Sequence, residues 1–373
     1  MSDLAIDRVE TVLLDVPLRR AHRFARASMD AQPVLLVRLS TAGGVTGVGE
    51  GVVPGGPWWG GESVETMQVL IERYMAPILL GRAVDDIEAI GRDIQDVVAN
   101  NLYAKTAVEV ALHDAWARSL GVPVHTLLGG LARRSIPVTW ALGTEPAPVV
   151  IEEALGKLEA GAHHTFKLKM GAQDPDADVE RVLTIAEKLA GAAGLRVDVN
   201  ARWDRLTALT QLPRLAEAGI ELVEQPVPGP ETETLAELTR GLRTAVMADE
   251  SLRTPTDALR LAKLGAADIY SLKTTKSGGL RASKAIAEIA AAADVPCHAG
   301  TSIETGIGTA ASLQLACAAP AVTWGSELFG PLLMREDILT TPLRYANGEL
   351  HLPEGPGLGV ELDPAAVRAF TRS

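Results

Sequence analysis

The sequence predicts an α/β protein in which a parallel barrel follows a smaller α+β region. Three observations carry that expectation. From residue 136 onward, short β-rich runs alternate with Ala- and Leu-rich helical stretches, a repeated βα pattern that suits a parallel barrel. Charged residues close successive strand-like runs at intervals of 24–29 residues, about one βα unit each. An open doubly wound sheet would also give the alternation, but no GxGxxG follows the first strand.

The composition fits this class. With 373 residues, 47% of them hydrophobic, the chain can bury a large core and fill two domains. Aromatics are only 4%, so Ala, Leu and Val must fill most of that core, as they do where helices cover a buried parallel sheet. The net charge of −12 and the lack of a basic run argue against a nucleic-acid partner. No apolar run approaches the ~20 residues of a membrane span, and Met1-Ser2-Asp3-Leu4 begins no signal peptide. Cys297 and Cys317 form no CxxC pair, which makes a reduced cytoplasm the expected location.

Taken in order, the elements divide as 1–130 (α+β), 131–330 (barrel) and 331–373 (a tail expected to pack back on the first region). Residues 34–39 and 45–50 read as strands joined at Gly43-Gly44. Helical patterns follow: one ending near Tyr74, one over 85–98, and one over 104–120. Gly129-Gly130 interrupts the chain. Barrel strands are expected at 136–142, 165–170, 196–200, 222–225, 245–249, 269–273, 296–298 and 322–325. After Pro331 the pattern stops, and the tail carries the turn-rich Pro353-Glu354-Gly355-Pro356-Gly357.

The ends of these strands carry the chemistry. They hold Lys167 and Lys169, then Asp198 and Asn200, then Glu224, then Asp249 and Glu250, then Lys273. Barrel active sites lie at that end. Any one acid alone reads as a helix cap or loop residue. Asp198, Glu224 and Asp249 together, at matched positions on three neighbouring strands, repel one another and call for a cation. An oxygen-only set favours Mg²⁺ or Mn²⁺. Lys167 and Lys169, one residue apart on a strand, face the same way. At about 6.5 Å and an effective dielectric near 20, they repel by roughly 2.5 kcal/mol. That repulsion would bring a lysine towards the range where it exchanges protons near neutral pH. Lys273 arrives from the sixth strand, across the barrel from the second. An ion pair with Glu250 or a Schiff-base role are its alternatives.

Lys167-Leu168-Lys169, Asp198-Val199-Asn200, Glu224-Gln225-Pro226, Ala248-Asp249-Glu250 and Lys273 resemble the signature of the enolase superfamily, muconate lactonizing enzyme subgroup. The resemblance extends to Ala104-Lys105-Thr106-Ala107-Val108-Glu109 and Pro356-Gly357-Leu358-Gly359, and so covers the whole chain. It implies an α+β capping domain, built from the N-terminal region and the tail, over a (β/α)₇β modified TIM barrel. Two N-terminal loops would close the active site. Within the subgroup, three stretches are similar to the cycloisomerases: Trp324-Gly325-Ser326-Glu327-Leu328-Phe329-Gly330, Gly300-Thr301-Ser302-Ile303-Glu304, and the cationic Pro17-Leu18-Arg19-Arg20-Ala21-His22-Arg23-Phe24.

That likeness implies conversion of cis,cis-muconate to muconolactone in aromatic catabolism. An o-succinylbenzoate synthase or N-acylamino acid racemase would use the same acid–base set. Asp198, Glu224 and Asp249 would hold the metal, Lys169 would donate the proton with Lys167 tuning it, and Lys273 would face it. Glu327 would orient Lys273 or bound water. His22, Trp58, Asn200, and the backbone near Thr301 and Ser302 would hold the dicarboxylate substrate. The 53–61 loop, with Trp58 and Trp59, reads as a lid or as an oligomer contact. His298 departs from the subgroup's pattern. The mandelate racemase subgroup pairs a strand-seven histidine with a strand-six aspartate, and Lys273 stands where that partner would be, so His298 reads as a core or substrate-contact histidine. The resemblance further implies a homo-oligomer, commonly an octamer.

Overall fold

The structure, a computed structural model, describes residues 3–23 and 28–372. Phe24, from the cationic stretch quoted above, lies outside them. An antiparallel sheet opens the chain: β1 (Ile6–Arg23), β2 (Ser28–Thr41) and β3 (Thr46–Gly51), with β2 in the middle. The run Val34-Leu35-Leu36-Val37 is continuously apolar because both faces of β2 are covered. Leu35, Val37 and Leu39 pack with Met67, Ile71 and Ile90 of the helices that follow. Val34 and Leu36, with Leu14 and Val16 of β1, join the core that continues into the barrel. Those helices include Val64–Leu70, which continues through a π-helical turn, Ile71–Met75, and then Ile87–Val97 and the long Leu102–Ser119. The long helix lies tight on β3. A Cβ on Gly49 would stand 2.0 Å from the carbonyl oxygen of Ala107, so only glycine permits the approach.

The short β4 (Ser135–Pro137) leads into eight parallel strands: β5 (Trp140–Leu142), β6 (Thr165–Lys169), β7 (Gly194–Asp198), β8 (Leu222–Glu224), β9 (Ala245–Ala248), β10 (Ile269–Leu272), β11 (Cys297–Ala299) and β12 (Val322–Ser326). They pair in sequence order. A single parallel bridge, Val138 to Ser326, closes the ring, with the Thr139 N–H donating to the Ser326 carbonyl at 2.7 Å. A helix of at least ten residues follows each of the first seven strands, and only the four-residue Gly330–Leu333 follows the eighth. This is the (β/α)₇β barrel. The expected strand 136–142 is in fact two: β4 pairs antiparallel with β14 (Glu349–His351), itself paired with β13 (Tyr345–Ala346), while β5 enters the barrel. The tail also reaches the N-terminal sheet. The Arg372 guanidinium donates to both Asp15 oxygens, and its backbone N–H to the Leu13 carbonyl at 2.9 Å. Among the described residues, no helix is long and apolar enough to cross a membrane.

Candidate active site

Strand register sets the acids and lysines side by side. On β6, Phe166 and Leu168 are buried with the core, while Lys167 and Lys169 turn towards the acids. Lys169 pairs in register with Asp198, and Asp198 with Glu224. Past Glu224, Gln225 takes a positive φ of 32°, and its Oε1 accepts from the Asp249 N–H at 2.8 Å and the Ser251 N–H at 3.2 Å, tying the next strand end in place. Asn200, with φ 50°, closes back on its own strand by donating its N–H to Asp198 Oδ1 at 2.9 Å.

The result is a buried ionic cage. The Lys167 ammonium donates to Glu224 and, at 2.5 Å, to Glu327, and lies 3.3 Å from Asp198. Lys169 donates to Asp198 at 2.5 Å and to Asn200 Oδ1 at 3.3 Å. Lys273 donates to Asp249 at 2.6 Å, so Asp249, not Glu250, is its partner. Glu327 contacts Lys167 rather than orienting Lys273. Lys276 was not singled out in the sequence. It is fully buried on the helical turn Thr274–Ser277 and donates to the carbonyl oxygen of Asp249 at 2.6 Å and to its Oδ1 at 2.5 Å.

A small cleft of about 40 Å³ opens onto this cage. Lys167, Lys169, Lys273, Glu327, Asn200, His22, Trp58, Thr301 and Ser302 all line it, as does Trp59 of the 53–61 loop, with Ile303 and Phe329 added by the structure. Asp198, Glu224 and Asp249 lie behind the lysines. A larger cavity, about 560 Å³ between the helices Ile87–Val97, Leu102–Ser119 and Leu280–Ala292, has none of these acids. The 53–61 loop sits on the cleft: Trp59 Nε1 donates to Glu250 at 3.2 Å, Arg253 donates to the Trp59 carbonyl at 3.3 Å, and the Lys273 ammonium lies 4.8 Å from the indole ring centre.

Two substrate-contact expectations need correction, and for His298 the core alternative is the one that holds. His298 does not line the cleft. It is buried beneath it, its Nδ1 3.0 Å from the Trp324 carbonyl and its Nε2 3.9 Å from Glu327. Nor is the Ser302 N–H turned to a substrate carboxylate, because it donates to Glu304 at 3.0 Å.

Electrostatics differ from the expectation of two repelling lysines. Burial alone would push Lys167 and Lys273 down, but Glu224, Glu327 and Asp198 around the first, and Asp249 and Glu224 around the second, outweigh it and hold both above the ordinary lysine range. Burial, with Asp198 beside it, pushes Glu224 up to about 8 despite Lys167. Glu250, buried next to Asp249 and Asp198, is pushed up to about 7. Burial, with Lys169 and Arg20 near, pushes His22 down to about 3 and keeps it neutral.

Among the described residues, no group of three acidic, His or Cys side chains is arranged to hold a metal ion as it stands, because each acid leans on a lysine. The donor chemistry nevertheless fits a hard divalent cation. Glu224 Oε1 is buried without a hydrogen-bond partner, with the Lys273 ammonium 4.0 Å away, and Glu250 Oε2 is likewise unpartnered. Buried carboxylate oxygens with unmet demand for positive charge, set on neighbouring strand ends, are what such an ion takes as ligands.

Fold and site together define a class, and comparison with known proteins agrees. The family model for the mandelate racemase / muconate lactonizing enzyme N-terminal domain matches residues 8–129, and the enolase C-terminal domain-like model matches residues 149–366. The chain belongs to the mandelate racemase / muconate lactonizing enzyme family of the enolase superfamily. Among particular relatives, Muconate cycloisomerase 1 of Rhodococcus opacus is 63% identical over 373 residues, spanning all of both chains. A chloromuconate cycloisomerase of Cupriavidus pinatubonensis is 42% identical over 97% of each. Of solved structures, a muconate lactonizing enzyme of Pseudomonas fluorescens complexed with muconolactone superposes with a TM-score of 0.97 at 39% identity, covering 99% of this chain and 100% of that one. A 2-chloromuconate cycloisomerase of Rhodococcus opacus gives 0.97 at 42% identity with the same coverage.

Proposed function

We propose that this protein is a muconate cycloisomerase, an isomerase that closes cis,cis-muconate to muconolactone. The observation that carries the reading is 63% identity along the full length of a relative so named. The choice of the unsubstituted diacid rests on that relative's name, since chloromuconate enzymes at 42% or less and a muconate lactonizing enzyme at 39% stand about equally far from this chain. The reaction is an internal addition. An oxygen of one carboxylate bonds to the γ-carbon of its own chain, and the carbon next to the other carboxylate takes a proton, so nothing is oxidised and nothing leaves.

The chain's residues divide that work. Lys169, on the cleft wall, gives its proton to carbon. Lys273 faces the substrate from four strands away, and its charge stabilises the negative charge that builds up as the ring closes. Lys167, clamped between Glu224 and Glu327, offsets the repulsion between these acids and fixes their positions beside the cleft. Neutral His22, with Thr301, Asn200 and Trp58, orients the diacid, and the 53–61 loop excludes water. Asp198, Glu224 and Asp249 would hold Mg²⁺ or Mn²⁺. When bound, that ion would supply positive charge to a substrate carboxylate. Residues 1–130 with 331–373 act as the cap and 131–330 as the barrel, in a cytoplasmic homo-oligomer.

The test is the ultraviolet diene absorbance of cis,cis-muconate mixed with protein and Mn²⁺, with and without EDTA. Rapid loss that EDTA abolishes is the expected result. No loss at saturating metal overturns the substrate assignment and directs attention to α-proton exchange on N-acylamino acids.

A further inference from the structure

The N-terminal sheet reaches the pocket wall through one carboxylate. Glu50 on β3 is 1% exposed. Its Oε1 accepts from the Thr305 N–H at 2.8 Å, and its Oε2 accepts from the Thr305 hydroxyl at 2.5 Å and the Gly308 N–H at 2.8 Å. Thr305 is the N-cap of the Gly306–Ala318 helix, so donors left over at that helix start are met by a side chain some 250 residues away in sequence. From the other side, Asp337 Oδ1 accepts from the Gly306 N–H at 3.0 Å. Glycine keeps both approaches open. A Cβ at 308 would stand 2.7 Å from Glu304 Cγ and 3.2 Å from Glu50 Oε2, and one at 306 would stand 2.5 Å from Asp337 Oδ2.

This helix start is the far end of the loop that walls the cleft with Thr301, Ser302 and Ile303. The loop is strained. Ile303, a β-branched residue, has φ 63°, a conformation that persists only where the surroundings over-determine it. Glu304 grips the loop from within, through the Thr301 hydroxyl and the Ser302 N–H. Glu50 fastens it from the N-terminal sheet. Filling space alone would not call for an acid there: burial, with Glu304 nearby, pushes Glu50 up to about 7, and its three donors are all neutral.

We propose that Glu50 is a positioning residue for the substrate: by fixing residues 301–304 from the N-terminal sheet, it governs how well the diacid binds and not how fast the proton moves. The name of the substrate rests on the muconate cycloisomerase reading; the placement of the loop does not.

The experiment compares the full chain with Glu50→Gln, which keeps one acceptor oxygen, and Glu50→Ala, all with Mn²⁺. It reads steady-state kinetics on cis,cis-muconate and amide exchange by mass spectrometry. The expected result is a KM raised about tenfold in the alanine variant and less in the glutamine variant, with kcat within about twofold. Exchange should quicken over 301–309 and stay unchanged over 165–170. Unchanged KM with unchanged exchange at 301–309, or a fall in kcat at constant KM, overturns the proposal. If the alanine variant does not fold, the glutamine variant decides. If the parent protein leaves muconate untouched, the functional reading fails, and exchange alone decides the role of Glu50.

Discussion

Replacing Lys167 with methionine keeps the hydrocarbon stem and deletes one charge from the cage. That ammonium is shared by Glu224, by Glu327 at 2.5 Å and by Asp198 at 3.3 Å, all of them buried. Removing one partner of a buried ion pair costs about 3–5 kcal/mol, because the other charge is left uncompensated. Three acids lose a partner here, but Glu224, already pushed up to about 8, can take a proton. The single-pair range is therefore the expectation, rather than its multiple. With an unfolding entropy of about 2.1 cal/mol/K per residue, a chain of 373 residues should melt about 4–6 °C lower. Circular dichroism melting in EDTA measures this, followed by a Mn²⁺ titration that should restore much of the loss as the ion replaces the missing charge. An unchanged melt in EDTA would refute the cage. An equal fall with and without Mn²⁺ would refute the acids as cation ligands.

Lys169→Ala should lower kcat by at least about 100-fold, the scale of a lost general acid, and single-turnover measurement would separate this from binding. If Lys273→Ala abolishes turnover while Lys169→Ala is spared, the donor assignment is reversed. Glu50 should also leave a pH signature. Its carboxyl sits at about 7 in the folded protein against an ordinary 4.5, so its contribution to stability is complete below about 4.5 and is lost as pH rises through 7. The parent should therefore lose about 3 kcal/mol relative to Glu50→Gln between those limits. Melting of the pair at pH 5 and pH 8 checks it, and a constant gap sinks the assignment.

Much of the barrel is legible in sequence because its strands are buried runs at a regular spacing, closed by charges with no reason to be there except chemistry. The same regularity exposed Lys167, Lys169, Asp198, Glu224, Asp249 and Lys273. What stayed hidden depends on partners far along the chain. β1 is 18 residues long but carries Pro17 and a register shift between Pro17 and His22, which obscure a two-residue rhythm. The split of 136–142 follows from a tail strand that cannot be seen locally. Lys276 follows Lys273 by one helical turn, and only the fold shows both reaching Asp249. His298 read as either a core or a substrate-contact histidine because its strand ends at the site, and its burial against the Trp324 carbonyl is the core alternative. Glu50 carried one faint signal, an acid between two glycines in an apolar hairpin strand.

The start of the Gly306–Ala318 helix, where Glu50 and Asp337 arrive from opposite ends of the chain, limits how freely this architecture can be recombined. A chimera that exchanged the first ~130 residues for a homologous segment would keep its interface only if the incoming piece brought an acid of the same reach, and a transplanted tail would need the equivalent of Asp337. Substrate range engineered by swapping the N-terminal part should therefore be inherited jointly with positions 305–308, as one cassette spread over three stretches of sequence.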